Sequence, residues 1–196
     1  MNTSSGQEDR LQGACGLFCG LCPRFQSPSA SRCPGCQLGE QHSYCGVWRC
    51  AVKGKGLLTC AECADYPCDK LKRCIGVDAD SFISHGPAYP NLDRIRAEGL
   101  SSHLTKSRER QVLLEQLIAE FNDGRSMSFF CVAAALLSPD RLRQAINEVH
   151  ESLAAGIVDG EDIKARAKAL RSTLEELAHR DGISLALRKA KPGSGA

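Results

Sequence analysis

Apolar and polar positions divide the 196-residue chain into two kinds of text. From about Leu92 onward the apolar residues recur at helical spacing. Val112, Leu113, Leu117, Ile118 and Phe121 form one stripe, which Asn122-Asp123-Gly124 stops. The run SMSFFCVAAALL is apolar almost all round, as suits a helix buried inside a bundle. Ser138-Pro139-Asp140 reads as a helix start, with a capping serine, proline in the first turn and an acidic side chain at the positive end. Leu142, Ala145, Ile146, Val149 and Leu153 follow as one face that ends near Gly156. A last helix opens at about Asp159 with the face Ile163, Ala167, Leu170, Leu174 and Leu177, and Gly182 closes it.

Before Leu92 the pattern fails. Residues 1–12 are polar and aperiodic and are expected to be a disordered leader. Between Gly13 and Ile75 the large apolar residues (Leu17, Phe18, Leu21, Phe25, Val47, Trp48, Leu57, Leu58) keep no period. About sixty such residues make a marginal core, and small domains of this kind usually need a staple. The predicted organisation is therefore a leader (1–12), a cysteine-rich zinc-binding domain (13–76), an α-helical domain (77–187) and a flexible basic tail (188–196). The fold class expected is a small metal-stabilised cysteine-rich domain followed by helices, mainly α, with irregular zinc-knuckle-like loops.

Cysteine content supplies the staple. Eleven of the twelve cysteines lie between Cys15 and Cys74. The N-terminus has no apolar signal-like region, and no apolar run approaches the roughly 18–20 residues of a membrane span. A cytoplasmic protein with reduced thiols is expected, and reduced thiols at short spacing favour metal over disulfides. Three pairs have CxxC spacing: Cys19/Cys22, Cys33/Cys36 and Cys60/Cys63. That spacing lets a tight turn bring two sulfurs onto one ion, and Pro34-Gly35 and Gly20 allow the bend. The pairs Cys19/Cys22 and Cys33/Cys36 match a four-thiolate knuckle, and Cys45 and Cys50 with Cys60 and Cys63 could form a second site. Cys15, Cys68 and His42 remain as further candidate ligands, so two zinc ions are expected and three are conceivable. Cys74 reads as a small residue on a short helix, and Cys131 as a packing residue inside its apolar helix.

Charge adds one constraint. The chain carries 25 basic and 23 acidic residues. Residues 1–78 hold nine Lys/Arg and seven Asp/Glu, a balance of +2. Two zinc ions, each in four thiolates, would add −4 and leave the domain near −2. Such a surface disfavours a phosphate backbone, although Lys53, Lys55, Lys70, Lys72 and Arg73 make a small basic cluster, read as a solvated face. His85 and His103 stand apart from any carboxylate partner and read as solvated loop residues.

Two further chemistries share this alphabet. Cys15-x3-Cys19-x2-Cys22 has the letter spacing of the cluster loop of radical S-adenosylmethionine enzymes, but the strand–helix units of that barrel are missing. Iron–sulfur ligation is the closer rival, although the ferredoxin run C-x2-C-x2-C-x3-C-P is absent.

Taken together, the blocks Cys15-Gly16…Cys19…Cys22, Cys33-Pro34-Gly35-Cys36, Cys45…Cys50-Ala51 and Cys60…Cys63…Pro67-Cys68…Leu71 resemble a bacterial and archaeal family, the domain-of-unknown-function 3795 proteins. In the third block His42 stands where family members often have the first cysteine of CxxC, which supports His42 as a ligand. The resemblance implies zinc binding and carries no established activity. The function expected is a zinc-folded binding or scaffold module with no catalytic residues. Its partner is unidentified; a protein or a second copy of the chain would meet the helical domain. A thiol-based redox or iron–sulfur protein is the alternative reading, and a nucleic-acid-binding zinc protein the second.

Overall fold

The structure, a computed structural model, describes residues 9–39, 42–76 and 79–189. Among them it is mainly helical, with no strand beyond an isolated antiparallel bridge between Gln12 and Phe18. Helix α1 is Pro23–Gln26 and α2 is Gly46–Trp48, continued by a wider π-type turn over Arg49–Gly54. Helix α3 is Asp69–Cys74, α4 is Ala88–Glu98 and α5 is Leu100–Phe121. Helices α6 (Met127–Leu136), α7 (Pro139–Ala154) and α8 (Ile163–Arg180) complete the order. Among the described residues, no helix is long and apolar enough to cross a membrane.

The chain forms two compact units, one of residues 1–108 with 188–196 and the other of residues 109–187. This division falls further along the chain than the boundary at 76/77 that composition suggests. The reason lies in the core of the first unit. Ala14, Val47, Ala51, Cys60, Ala61, Leu71 and Ile75 cluster with Ala88, Leu92 and Ile95 of α4. The cysteine-rich stretch is short of large apolar residues, and α4 supplies two of the missing ones, Leu92 and Ile95. The Cys15–Cys19 loop sits directly on this helix: Gly16 has φ +92°, and a Cβ there would lie 2.2 Å from the Ala88 carbonyl oxygen. Asn91 Nδ2 donates to the Gly16 oxygen at 2.9 Å from the same helix.

Near both ends of the first unit, the described residues are held by specific contacts. Residues 1–8 of the expected leader and 190–196 of the expected tail lie outside the described residues. The Leu11 oxygen accepts from Cys19 N, and Gln12 is fully buried. Gln12 Oε1 meets His103 Nε2 at 3.1 Å, with Ser107 Oγ 3.2 Å from the same nitrogen. His103 is thus a buried helical residue of α5, not a solvated loop residue; its burial beside two polar partners overturns the reading from isolation in sequence. His85 is half-buried in the loop before α4. Of the expected tail, Arg188 is fixed by Asp80. The Asp80 carboxylate, 1% exposed, accepts from Arg188 N, Nε and Nη2 and from His85 N.

In the second unit the apolar stripes behave largely as their periodicity predicts. Leu142, Ala145, Ile146 and Val149 of α7 and Ala167, Leu170, Leu174 and Leu177 of α8 are buried. Ser138 Oγ accepts from Arg141 N at the start of α7, and Asp162 Oδ1 from Lys164 N at the start of α8. Asp123 Oδ1 takes the Arg125 and Ser126 N–H groups in the turn before α6, and Gly182, at φ +69°, closes α8. Two stripe positions are exposed, Val112 at 64% and Ile163 at 37%, and Ile118 and Leu153 are half-buried, while Leu114, outside the stripe, is fully buried. Cys131 is buried within α6.

Candidate metal centre

Most cysteines of the first unit sit in turns or at helix ends, where the chain bends sharply. Cys19 begins a 3-10 turn (Cys19–Leu21), Cys22 caps α1, Cys45 caps α2, Cys50 lies in the π-type turn, and Cys60 opens a second 3-10 turn (Cys60–Glu62) with Cys63 as its C-cap. Cys68 caps α3. The third CxxC, Cys60/Cys63, is shaped by its own capping box. Thr59, fully buried, presents its N–H and hydroxyl to Glu62 Oε1 at 2.8 and 3.0 Å. No disulfide joins any of the twelve cysteines.

Side-chain interactions sort the expected ligands into two neighbourhoods. In the first, Cys36 N donates to Cys19 Sγ at 3.2 Å. The Cys36 thiol is raised well above its ordinary range, first by its hydrogen bond with the Cys19 side chain and then by burial. Burial also raises Cys22, with Cys36 and Cys33 adding to it. His42 Nε2 lies 3.6 Å from Cys33 Sγ. Spacing pairs His42 with Cys45, but the ring meets the first neighbourhood instead; only its carbonyl oxygen meets Cys45, accepting from Cys45 N.

The second neighbourhood surrounds a cavity of about 60 Å³, lined by Cys50, Cys60, Cys63 and Cys68 among others. Burial pushes the Cys60 thiol up to about 12, with Cys68, Cys63, Cys50 and Cys45 contributing in turn. Cys45, expected in this site, does not line the cavity, and Cys68, which spacing left without a partner, does. Cys15 lies between the two groups. Burial raises its thiol to about 12, Leu17 N opposes this, and Cys36, Cys45 and Cys60 add to it. Cys74 is exposed at the end of α3.

Lys55 stands at the cavity rim and was not among the expected site residues. Its Nζ donates to Cys63 Sγ at 3.1 Å and to Asp65 Oδ2 at 2.7 Å. Asp65, and then Cys63, raise the lysine's pKa, so it remains an ammonium. No sequence pattern announces such a contact, because the seven residues between Lys55 and Cys63 keep no fixed period.

Among the described residues, no group of three or more His, Cys, Asp or Glu side chains converges closely enough to hold a metal ion. The chemistry of the donor set nonetheless fits a thiophilic cation. Crowded, buried thiols raise one another's pKa because each thiolate repels the next and loses water, and a dication removes both penalties.

Residues 11–73 match the family model described as Protein of unknown function (DUF3795). The resemblance carried by the cysteine blocks is borne out for this segment. No curated protein and no solved structure matches the chain. The DUF3795 segment contains both thiol neighbourhoods and ends just before Cys74, whereas the unit it belongs to continues through α4.

Proposed function

We propose that the DUF3795 segment is folded by zinc, held in two four-thiolate sites, and that the chain serves as a binding or scaffold module. Cys19, Cys22, Cys33 and Cys36 would hold one ion, with His42 beside them. Cys50, Cys60, Cys63 and Cys68 would hold the other. Zinc suits these ligands because it is borderline-soft, imposes no strong geometric preference and is held tetrahedrally by cysteines in structural sites.

One observation carries the reading: four cysteines from three separate turns line a single cavity of about 60 Å³. That volume suits an ion and falls far below the roughly 300–1,000 Å³ of small-molecule sites. Four protein ligands would leave no open coordination position, which favours a structural role over catalysis. The helices of residues 109–187 would then offer a partner surface, and the exposed Val112 and Ile157 lie on them or beside them.

Native mass spectrometry with elemental analysis of the purified chain tests the metal. Two zinc ions per chain are expected. Bound iron would replace the reading with an iron–sulfur protein, and a chain that keeps its helicity after exhaustive chelation would overturn metal-dependent folding. Sedimentation at several concentrations tests for self-association.

A further inference from the structure

Lys55 caps the π-type turn of α2, while Cys63 and Asp65 lie on the loop after the second 3-10 turn. Its ammonium therefore bridges two of the turns that supply cavity cysteines. The Lys55 and Asp65 side chains are 40% and 69% exposed, so the pair forms the outer rim. Cys60 is buried, whereas Cys63 is only partly so and lies directly behind the ammonium. Lys70 also lines the cavity, but no contact ties it to a sulfur.

Four thiolates around a dication keep a net charge of −2, and the ligand nearest water is where a proton or an electrophile enters. An N–H⁺ group donating to that sulfur withdraws charge from it and occupies the lone pair such reagents need. We infer that Lys55 is a positioning residue that closes the cavity site, holding the Cys63 thiolate on the ion while Asp65 holds Lys55 in place. The site would then release its metal slowly even though one ligand faces solvent. This rests on the metal reading above and goes beyond it, because it assigns the kinetics of one site to a residue that is not a ligand.

The test uses the full zinc-loaded chain and its variants Lys55→Met, Lys55→Arg and Asp65→Asn. Zinc content is measured first, then release into excess chelator is followed with a colorimetric zinc indicator, and alkylated cysteines are mapped by mass spectrometry. Lys55→Met should bind as much zinc as the parent yet lose one ion about three- to tenfold faster, the range expected for a half-exposed charge-assisted hydrogen bond. The other ion should leave at the parental rate, and Cys63 should become the first cysteine alkylated. Lys55→Arg should restore slow release, and Asp65→Asn should fall between. Parental release kinetics in a fully loaded Lys55→Met chain would overturn the inference. So would equal acceleration of both ions, which would make Lys55 a general fold residue. A parent chain without zinc would overturn the underlying reading as well, and elemental analysis reveals that before any chase begins.

Discussion

Replacing Gly16 with alanine should destabilise the first unit far more than the loss of a hydrogen atom suggests. Gly16 lies at φ +92°, a region that costs other residues about 1–2 kcal/mol. The new methyl would also stand 2.2 Å from the Ala88 oxygen and 2.8 Å from Leu92 Cγ. The backbone oxygen cannot rotate away, so the loop must retreat from α4. Retreat stretches the Asn91–Gly16 hydrogen bond, worth about 1 kcal/mol net, and loosens Leu92, which is fully buried. The sum is about 3–5 kcal/mol, or a melting temperature more than roughly 10 °C lower. Gly56→Ala is the matched control, because Gly56 has φ +65° and nothing within 4 Å of its added Cβ. It should cost only the backbone strain. Urea unfolding of both variants, followed by circular dichroism at equal metal content, measures the difference. Equal costs for the two variants would refute the packing of the Cys15–Cys19 loop on α4.

Cys60→Ser should remove one metal ion per chain and unfold the DUF3795 segment, since structural zinc supplies on the order of 10 kcal/mol in small modules; elemental analysis and the helical signal check it together. Cys131→Ala should cost about 1–2 kcal/mol in a urea titration and leave the metal count unchanged. Asp80 gives a pH signature. Burial favours its neutral form, but the Arg188 guanidinium and the His85 and Arg188 N–H groups outweigh burial and hold it at about 2, against 3.8 unfolded. Its stabilisation, about 2 kcal/mol, is present above pH 4 and lost as pH falls through 2. Asp80→Asn should flatten that part of the stability–pH curve, and an unchanged slope between pH 4 and 2 would count against the Asp80–Arg188 pair.

The helical second half was legible because amphipathic helices repeat their chemistry every turn. Leu142, Ala145, Ile146 and Val149 could be placed from spacing alone, as could the Ser138 cap. Val112 shows the limit: spacing of 3.6 allows the stripe to run through Leu113, Leu114 and Leu117 just as well, and packing decides. The cysteine blocks revealed where the thiols gather but not their partners. CxxC fixes two sulfurs on one turn, whereas the companion of Cys60 and Cys63 depends on how distant turns meet. Cys68 therefore lines the cavity where spacing suggested Cys45, and His42 faces Cys33. His103 was misread because a polar residue on a helix looks solvated until its partners Gln12 and Ser107 are placed beside it.

The Asp80–Arg188 pair makes the first unit discontinuous along the chain, with residues 109–187 spliced in as a guest between its two parts. A truncation at Leu187 would thus reach back more than a hundred residues and expose a carboxylate on the host. The stretch that matches the family ends at residue 73, so excising it alone would strip away α4 and this distant clasp together.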